Sequence, residues 1–574
     1  MSTALRSRRL RRVASLLVAL AACASPGHRR VLGVPVPFGA ARELPVEQQA
    51  RQAINRLTFG ARPGDVERVL HEGVDRWIAA QLAPERLTDA AWDTLAPHFA
   101  TQHDAPHALV RALVDSYPPI DVYIRAVKRA HGLPDTARIL LAGDDSATYE
   151  RLFATGTRRA NDVLAAKVAR AEVSERQLLE VMTDFWENHF SVYAPKSPTR
   201  FTMVEYDRDV IRPHALGRFR DLLGAVAHSS AMLYYLDNVQ SRVDSGHVAL
   251  AEWRAAQQAH RAPRPSRRRA GLNENYAREL MELHTLGVDG GYTQHDVIEV
   301  ARALTGWTLD SARAGGAFAF HPEAHDADAK TVLGHALPAG RGVEDGEEVL
   351  DVLAQHPSTA HFIAYKLARR FVADTPSTAL VARAAATFTK TGGDIRETLR
   401  TILTSPEFFS QRAYRTKVKS PFELVVSARR ALASAPDTTA ATAQLVARLG
   451  QPLFGHLTPE GWPETGDAWM NAGAILNRIN AGAAVAVGRL PGASVAHWPA
   501  STALAAAPRA AQVDGVVAAV LEGEAGPDTR AILLGGRNPL APASAVPNTA
   551  RGAALRALAE LVGLALGAPE FQRR

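Results

Sequence analysis

The chain of 574 residues contains a single cysteine, Cys23, and that scarcity rules out a good deal. No intramolecular disulfide can form, so stability must come from burial and helix packing. Cysteine-ligated zinc sites and iron–sulfur clusters are excluded as well. Charge of one sign is also in short supply. The formal net charge is +7, but Arg6, Arg8, Arg9, Arg11 and Arg12 account for all except +2 of it. A chain this close to neutral gives no global argument for nucleic acid as a partner. Several familiar signatures are missing: the Gly-x-Ser-x-Gly elbow, the His-Glu-x-x-His zinc helix, the Gly-x-x-x-x-Gly-Lys phosphate loop and a Gly-x-Gly-x-x-Gly turn after a strand. The common hydrolase, nucleotide and dinucleotide chemistries lose their support accordingly.

What is present begins with an address. The five arginines precede an apolar run, Val13 to Ala22, too short to cross a bilayer as a helix. A basic flank, a short apolar core and small residues at its end form an export signal, expected over residues 1–22. It closes on Leu20-Ala21-Ala22-Cys23, which resembles the lipobox of bacterial lipoproteins. Lipidation of Cys23 would make it a membrane anchor, on the periplasmic or cell-surface side. Ala24 and Ser25 lack the aspartate that retains lipoproteins at the inner membrane, so outer-membrane sorting is expected. Residues 23–48, with Ser25-Pro26-Gly27 and Val34-Pro35-Val36-Pro37, read as a tether.

From residue 49 to 574 the expected fold class is mainly α, one large multi-helical domain with few or no strands. Hydrophobic content of 47% and charged content of 22% suit a globular chain. Ser174-x-x-Gln177 reads as a capping box for a helix running to Phe190. Along it, Leu178, Met182, Phe185 and His189 share one face. Asn273 to Leu286 reads as a helix closed by Gly287, and Thr293-x-x-Asp296 opens another that stops at Gly306. Further helical patterns cover His361 to Val372, Arg396 to Leu403 and Pro421 to Leu432. A flexible basic loop is expected at 259–271, and a looser C-terminal part from about 435, with 494–513 rich in Ala and Pro. The glycine-rich stretch from Gly287 to Asp296 lacks calcium-loop carboxylates and reads as a helix–turn–helix connection.

Several of these segments carry a family resemblance. Asn55-Arg56-Leu57-Thr58-Phe59-Gly60, Trp186-Glu187-Asn188-His189-Phe190, Leu233 to Asn238, and Asn273 to Gly287 resemble the uncharacterised bacterial family called domain of unknown function 1800. Ala303-Leu304-Thr305-Gly306-Trp307, His325-Asp326 with Lys330, Lys419-Ser420-Pro421-Phe422 and Pro569-Glu570-Phe571 continue the likeness over roughly residues 50–574. The resemblance implies an exported helical protein, often encoded beside a second exported family that is similar to sulfatases. It implies no catalytic residues. One departure stands out: Glu187 occupies a place where the family usually carries histidine.

The densest polar chemistry lies between Asn273 and Leu286. At 100° per residue, Asn275, Arg278, Glu279 and Glu282 share a stripe, while His284 lies opposite. Glu279 and Glu282 suit a general base or a ligand, and Arg278 and Lys330 would position an anionic group. His189, His284, His325 and Asp326 would make an N/O set for zinc, iron, manganese or copper if their segments converge. Two readings stay open. One is a lipid-anchored envelope enzyme, metal-assisted and hydrolytic or oxidative. The other is a non-catalytic scaffold or binding protein for a sulfatase-like exported partner. Convergence of these side chains in one pocket separates them.

Overall fold

The computed structural model describes residues 41–103, 128, 134, 144–196, 199–266, 271–310, 316–535 and 550–574. The export signal, Cys23 and most of the tether lie outside the described residues, as do 267–270 of the basic loop. The tether ends earlier than its sequence suggests. Leu44 is buried and its amide donates to the Phe409 carbonyl at 3.1 Å, and the first helix, α1, runs Val46–Leu57.

Two consecutive helices are buried around most of their circumference, the first of them over its described side chains at 161–173. α2 (Asp144–Val173) leads through a short break into α3 (Gln177–His189), where Leu178, Val181, Met182, Phe185 and Trp186 are all buried. Sinking such side chains stabilises the fold by about 1.5–3 kcal/mol each. The expected Ser174 capping box does not form. Ser174 instead donates to Asp89, which also accepts from the Glu175 amide at 2.8 Å, and the Gln177 side chain turns back to accept from the Phe59 amide. A carboxylate 85 residues away satisfies the break, and local pattern cannot reveal such a partner.

α4 (Phe219–His228) and α5 (Glu274–Met281) follow, then α6 (Gln294–Ala303), which opens on the expected Thr293–Asp296 capping box. The helix predicted from Asn273 to Leu286 is not regular throughout: Asn273 caps it, but Glu282–Leu286 forms a π turn. Thr285 donates its hydroxyl to the Leu280 carbonyl there, and Gly287 closes the turn at φ +82°. Gly306, at φ +77°, ends the next connection where a Cβ would press on the His321 carbonyl, so only glycine fits.

Two antiparallel hairpins come next. β1 (Trp307–Leu309) pairs with β2 (Phe318–Phe320), and β3 (Lys330–Val332) with β4 (His335–Leu337). The rest of the described chain returns to helix: α7 (Glu344–Gln355), α8 (Pro357–Phe371), α9 (Thr378–Lys390), α10 (Ile395–Leu403) and α11 (Pro421–Ala431). α11 is held by a capping box of Ser420 and Glu423 and is buried along its whole length. α12 (Ala472–Ala486), α13 (Arg509–Val520) and α14 (Ala550–Gly567) follow, and shorter helices lie between the named ones. The 494–513 stretch is not loose: Val495, Trp498 and Val513 belong to the same hydrophobic core as Ile54, Phe185 and Phe422. The alanines there are exposed or half-buried, and the anchoring comes from Val495, Trp498 and Val513. The fold is mainly α.

Candidate functional site

The first buried charges to consider are those of α3. Asp184 and Glu187 stand three residues apart on one face, and Lys167 of α2 reaches both. Its Nζ lies 2.8 Å from Asp184 Oδ1 and hydrogen-bonds Glu187 Oε2. Burial alone would strip Lys167 of its proton, but the two carboxylates hold its pKa above the ordinary lysine value. Glu187 goes the other way. Burial pushes its carboxyl well above the usual range, and the neighbouring Asp207 adds like charge against the pull of Lys167. Asp207 stays ionised between Arg170 and Arg212, at 3.0 and 3.2 Å. Of this pair Glu187 is the carboxyl whose neutral form is favoured, and its Oε1 has no hydrogen-bond partner within the protein.

Across from α3 stands the start of α11. Glu423 Oε2 accepts the Ser420 amide, and Oε1 is shared by two guanidinium groups, Arg370 at 2.9 Å and Arg574 at 3.1 Å. Segments at 417–419 and 572–574 pair as a short antiparallel ladder, which aims Arg574 at Glu423. Between the two helices lies a cleft of about 50 Å³, room for three or four waters by the usual ~10–15 Å³ each. Glu187, Asn188, Arg370, Glu423 and Arg574 line it, and Phe454, Trp462 and Trp469 form an aromatic side.

Asn188 fixes the roof. Its Nδ2 donates to the Trp462 carbonyl at 2.9 Å and its Oδ1 accepts the Trp462 amide at 2.6 Å, a two-point clamp on the backbone. Gly461, at φ +74°, packs directly on the Asn188 carbonyl, where any Cβ would collide. Lys417 donates to the Glu464 carbonyl at 2.7 Å and holds the other end of the same segment.

The side chains expected from sequence fall into three separate places. His189 and His284 are together, their ring centroids 6.4 Å apart, with His189 Nε2 3.1 Å from the His284 carbonyl oxygen. They are packed among Phe185, Trp186, Phe190 and Phe362. Burial, with the cation Lys366 nearby, lowers both, His284 to about 3. They are neutral core histidines.

His325, Asp326 and Lys330 sit elsewhere. Lys330 donates to Asp345 Oδ2 at 2.8 Å and to the carbonyls of Asp326 and Asp328 at 2.6 and 2.9 Å. His325 Nδ1 hydrogen-bonds the Thr305 carbonyl at 2.8 Å, and its Nε2 is 3.4 Å from Asp345. Arg302 grips Asp326 with two nitrogens. The expected metal set of His189, His284, His325 and Asp326 thus does not converge, because each member is committed to its own buried network. Among the described residues the one trio with ligand-like spacing is His247, Asp326 and Asp328, within 4.8 Å. Arg302 already occupies Asp326 there.

The third place is the partly exposed face of α5. Arg278 donates to Gln294 at 2.7 Å, and Glu282 accepts from the Tyr292 hydroxyl at 2.8 Å. Burial raises Glu279, helped by Glu282 and by Glu460 of the roof segment. Neither carboxylate, nor Arg278 or Lys330, lines the cleft.

The family can now be read against this geometry. The model of a family described as protein of unknown function, DUF1800, matches residues 52–573. The chain belongs to that family. No curated protein and no solved structure matches it. Two stretches that carry the resemblance meet at the cleft: Glu187 and Asn188 from α3, and Ser420 ahead of α11. Sequence reasoning missed Lys167, Asp184, Arg370, Glu423, Glu464 and Arg574, which are far apart in the chain. One signal was available: Asp184, Glu187 and Asn188 fall at helical spacing on one side of a helix whose Leu178, Val181, Met182, Phe185 and Trp186 are all buried.

Proposed function

We propose that this is an exported, lipid-anchored protein of the cell envelope that acts on a small polar substrate in the α3–α11 cleft, with Glu187 as proton donor. The observation that carries the reading is the Glu187 carboxyl. It is buried, lines open room, is tied to Lys167 through one oxygen and accepts nothing on the other. A carboxyl kept protonated near neutral pH is what a general acid needs, and such groups contribute about 100- to 10,000-fold in rate. Hydrolysis of an ester or acetal, in which the leaving oxygen takes that proton, suits the site. The cleft carboxylates Asp184 and Glu423 face cations rather than one another, which favours proton transfer over metal assistance.

Infrared difference spectroscopy tests the proton directly: a protonated-carboxyl band near neutral pH should be present in the wild type and missing in Glu187→Gln. Chromogenic carboxylate, phosphate and glycoside esters form the activity panel. Turnover of any of them should fall about 100-fold or more in Glu187→Gln while the fold survives. An ionised Glu187 near neutral pH would sink the reading. The address is tested apart from the chemistry, by loss of palmitate incorporation and of membrane association in Cys23→Ser.

A scaffold role, for a sulfatase-like exported partner, is favoured by a different observation. The histidines 189, 284 and 325 and Lys330 all serve buried networks that fix how helices and hairpins register. An inactive panel combined with an ionised Glu187 would leave that role.

A further inference from the structure

We infer that the cleft holds an oxyanion, the phosphate- or carboxylate-type group of a ligand, between the guanidinium groups of Arg370 and Arg574. This deepens the reading of the α3–α11 cleft as the working site and rests on it. Both side chains line the cleft, and both are nearly fully buried, at 4% and 3% exposure.

The argument starts from donors. Glu423 Oε1 receives one nitrogen from each guanidinium. Nε and Nη2 of Arg370, and Nε and Nη1 of Arg574, find no acceptor within the protein. The nearest carboxylate to Arg370 Nη2, Asp184, is 3.8 Å away, beyond hydrogen-bond reach. Buried N–H groups are nearly always satisfied, and leaving several unfilled at one place is costly. Two guanidinium groups with unfilled nitrogens beside one small space match an oxyanion, which offers several lone pairs to planar donors.

Charge points the same way. Around the cleft stand the cations Lys167, Arg370, Arg574, Lys417 and Arg56 and the carboxylates Asp184, Glu187, Glu423, Glu464 and Asp374. The cations press on one another: burial, and then Arg370, pulls Arg574 down to about 10 even with Glu423 beside it. Arg56, wholly buried and with its own Nε and Nη1 unfilled, is lowered by burial and by Arg574. One bound negative charge would relieve both the donors and the repulsion. Trp462 and Trp469 on the cleft side would then cover the uncharged remainder of the ligand.

The test reads binding rather than turnover, so it is independent of the chemistry assigned to Glu187. The full-length protein is titrated with inorganic phosphate, sulfate and acetate at constant ionic strength, with chloride as reference, and followed by thermal midpoint and calorimetry. Saturable binding of at least one oxyanion is expected, half-complete at about 1 mM or below. Phosphate and sulfate against acetate separates a tetrahedral from a planar group. Arg574→Gln should weaken binding by about tenfold or more, Arg574→Lys less, and Arg261→Gln, on the exposed surface, not at all. Absence of saturable binding in the wild type overturns the inference whatever the variants do. So does binding undiminished in both Arg574→Gln and Arg370→Gln.

Discussion

Two buried charge clusters in this molecule look alike on a list of residues and behave differently in space. Around Lys330 both cations are fully used: the ammonium makes three hydrogen bonds, and Arg302 fills its fork with Asp326, Glu299 and the Ala329 carbonyl. At the cleft, Arg370 and Arg574 share one carboxylate oxygen and keep nitrogens to spare. Burial of charge is common to both. What separates a strut from a binding site is whether the buried donors are already satisfied.

The comparison can be broken most forcefully at Lys330. Replacing it with Met leaves buried Asp345 with only Arg341, at 3.3 Å, as its cation, and unfolding by urea should show a loss of about 3 kcal/mol. Arg574→Gln should cost far less, about 1 kcal/mol, because Arg370 and the Ser420 amide still hold Glu423. Equal losses at the two sites would remove the distinction. Between these lies Asn188→Ala, which frees the Trp462 backbone from both clamps and should cost about 1–3 kcal/mol, with faster proteolysis within 456–466.

Acid sharpens the contrast in another way. His284 is depressed in the folded state, so the unfolded chain takes up a proton first. Stability is present above the ordinary histidine value and is lost as pH falls from about 6.5 toward about 3, by at most about 1.4 kcal/mol per pH unit for this group. His284→Asn should flatten that part of the profile in chemical unfolding followed against pH. The smallest effect is expected at Arg278→Ala, within about 0.5 kcal/mol, since its partners Gln294 and Glu274 lie on a partly exposed face.

How far the sequence could be read follows from the range of the interactions. Helices signalled within a few residues formed where expected, as with the Thr293–Asp296 box and the Ser420 opening of α11. Ser174 misled because its partner is Asp89, and 494–513 misled because composition says nothing of what a segment packs against. The site divides in the same way. Glu187 and Asn188 stand in a stretch picked out by pattern. Lys167, Arg370 and Arg574 reach them only through tertiary packing, and no spacing announces that. The stripe of Glu279 and Glu282 was the richest local signal and does not line the cleft, being joined to the turn at 292–294.

The clamp between Asn188 and Trp462 spans 274 residues of chain. Contacts so distant in sequence form late, since the entropy of closing a long loop must be met before the contact rewards it. Helices α8 and α11, which supply Arg370 and Glu423, lie within that loop and must dock before the roof can settle. The roof would then close over the cleft only after those helices have docked, and the guanidinium groups beneath it would stay open to water until that step.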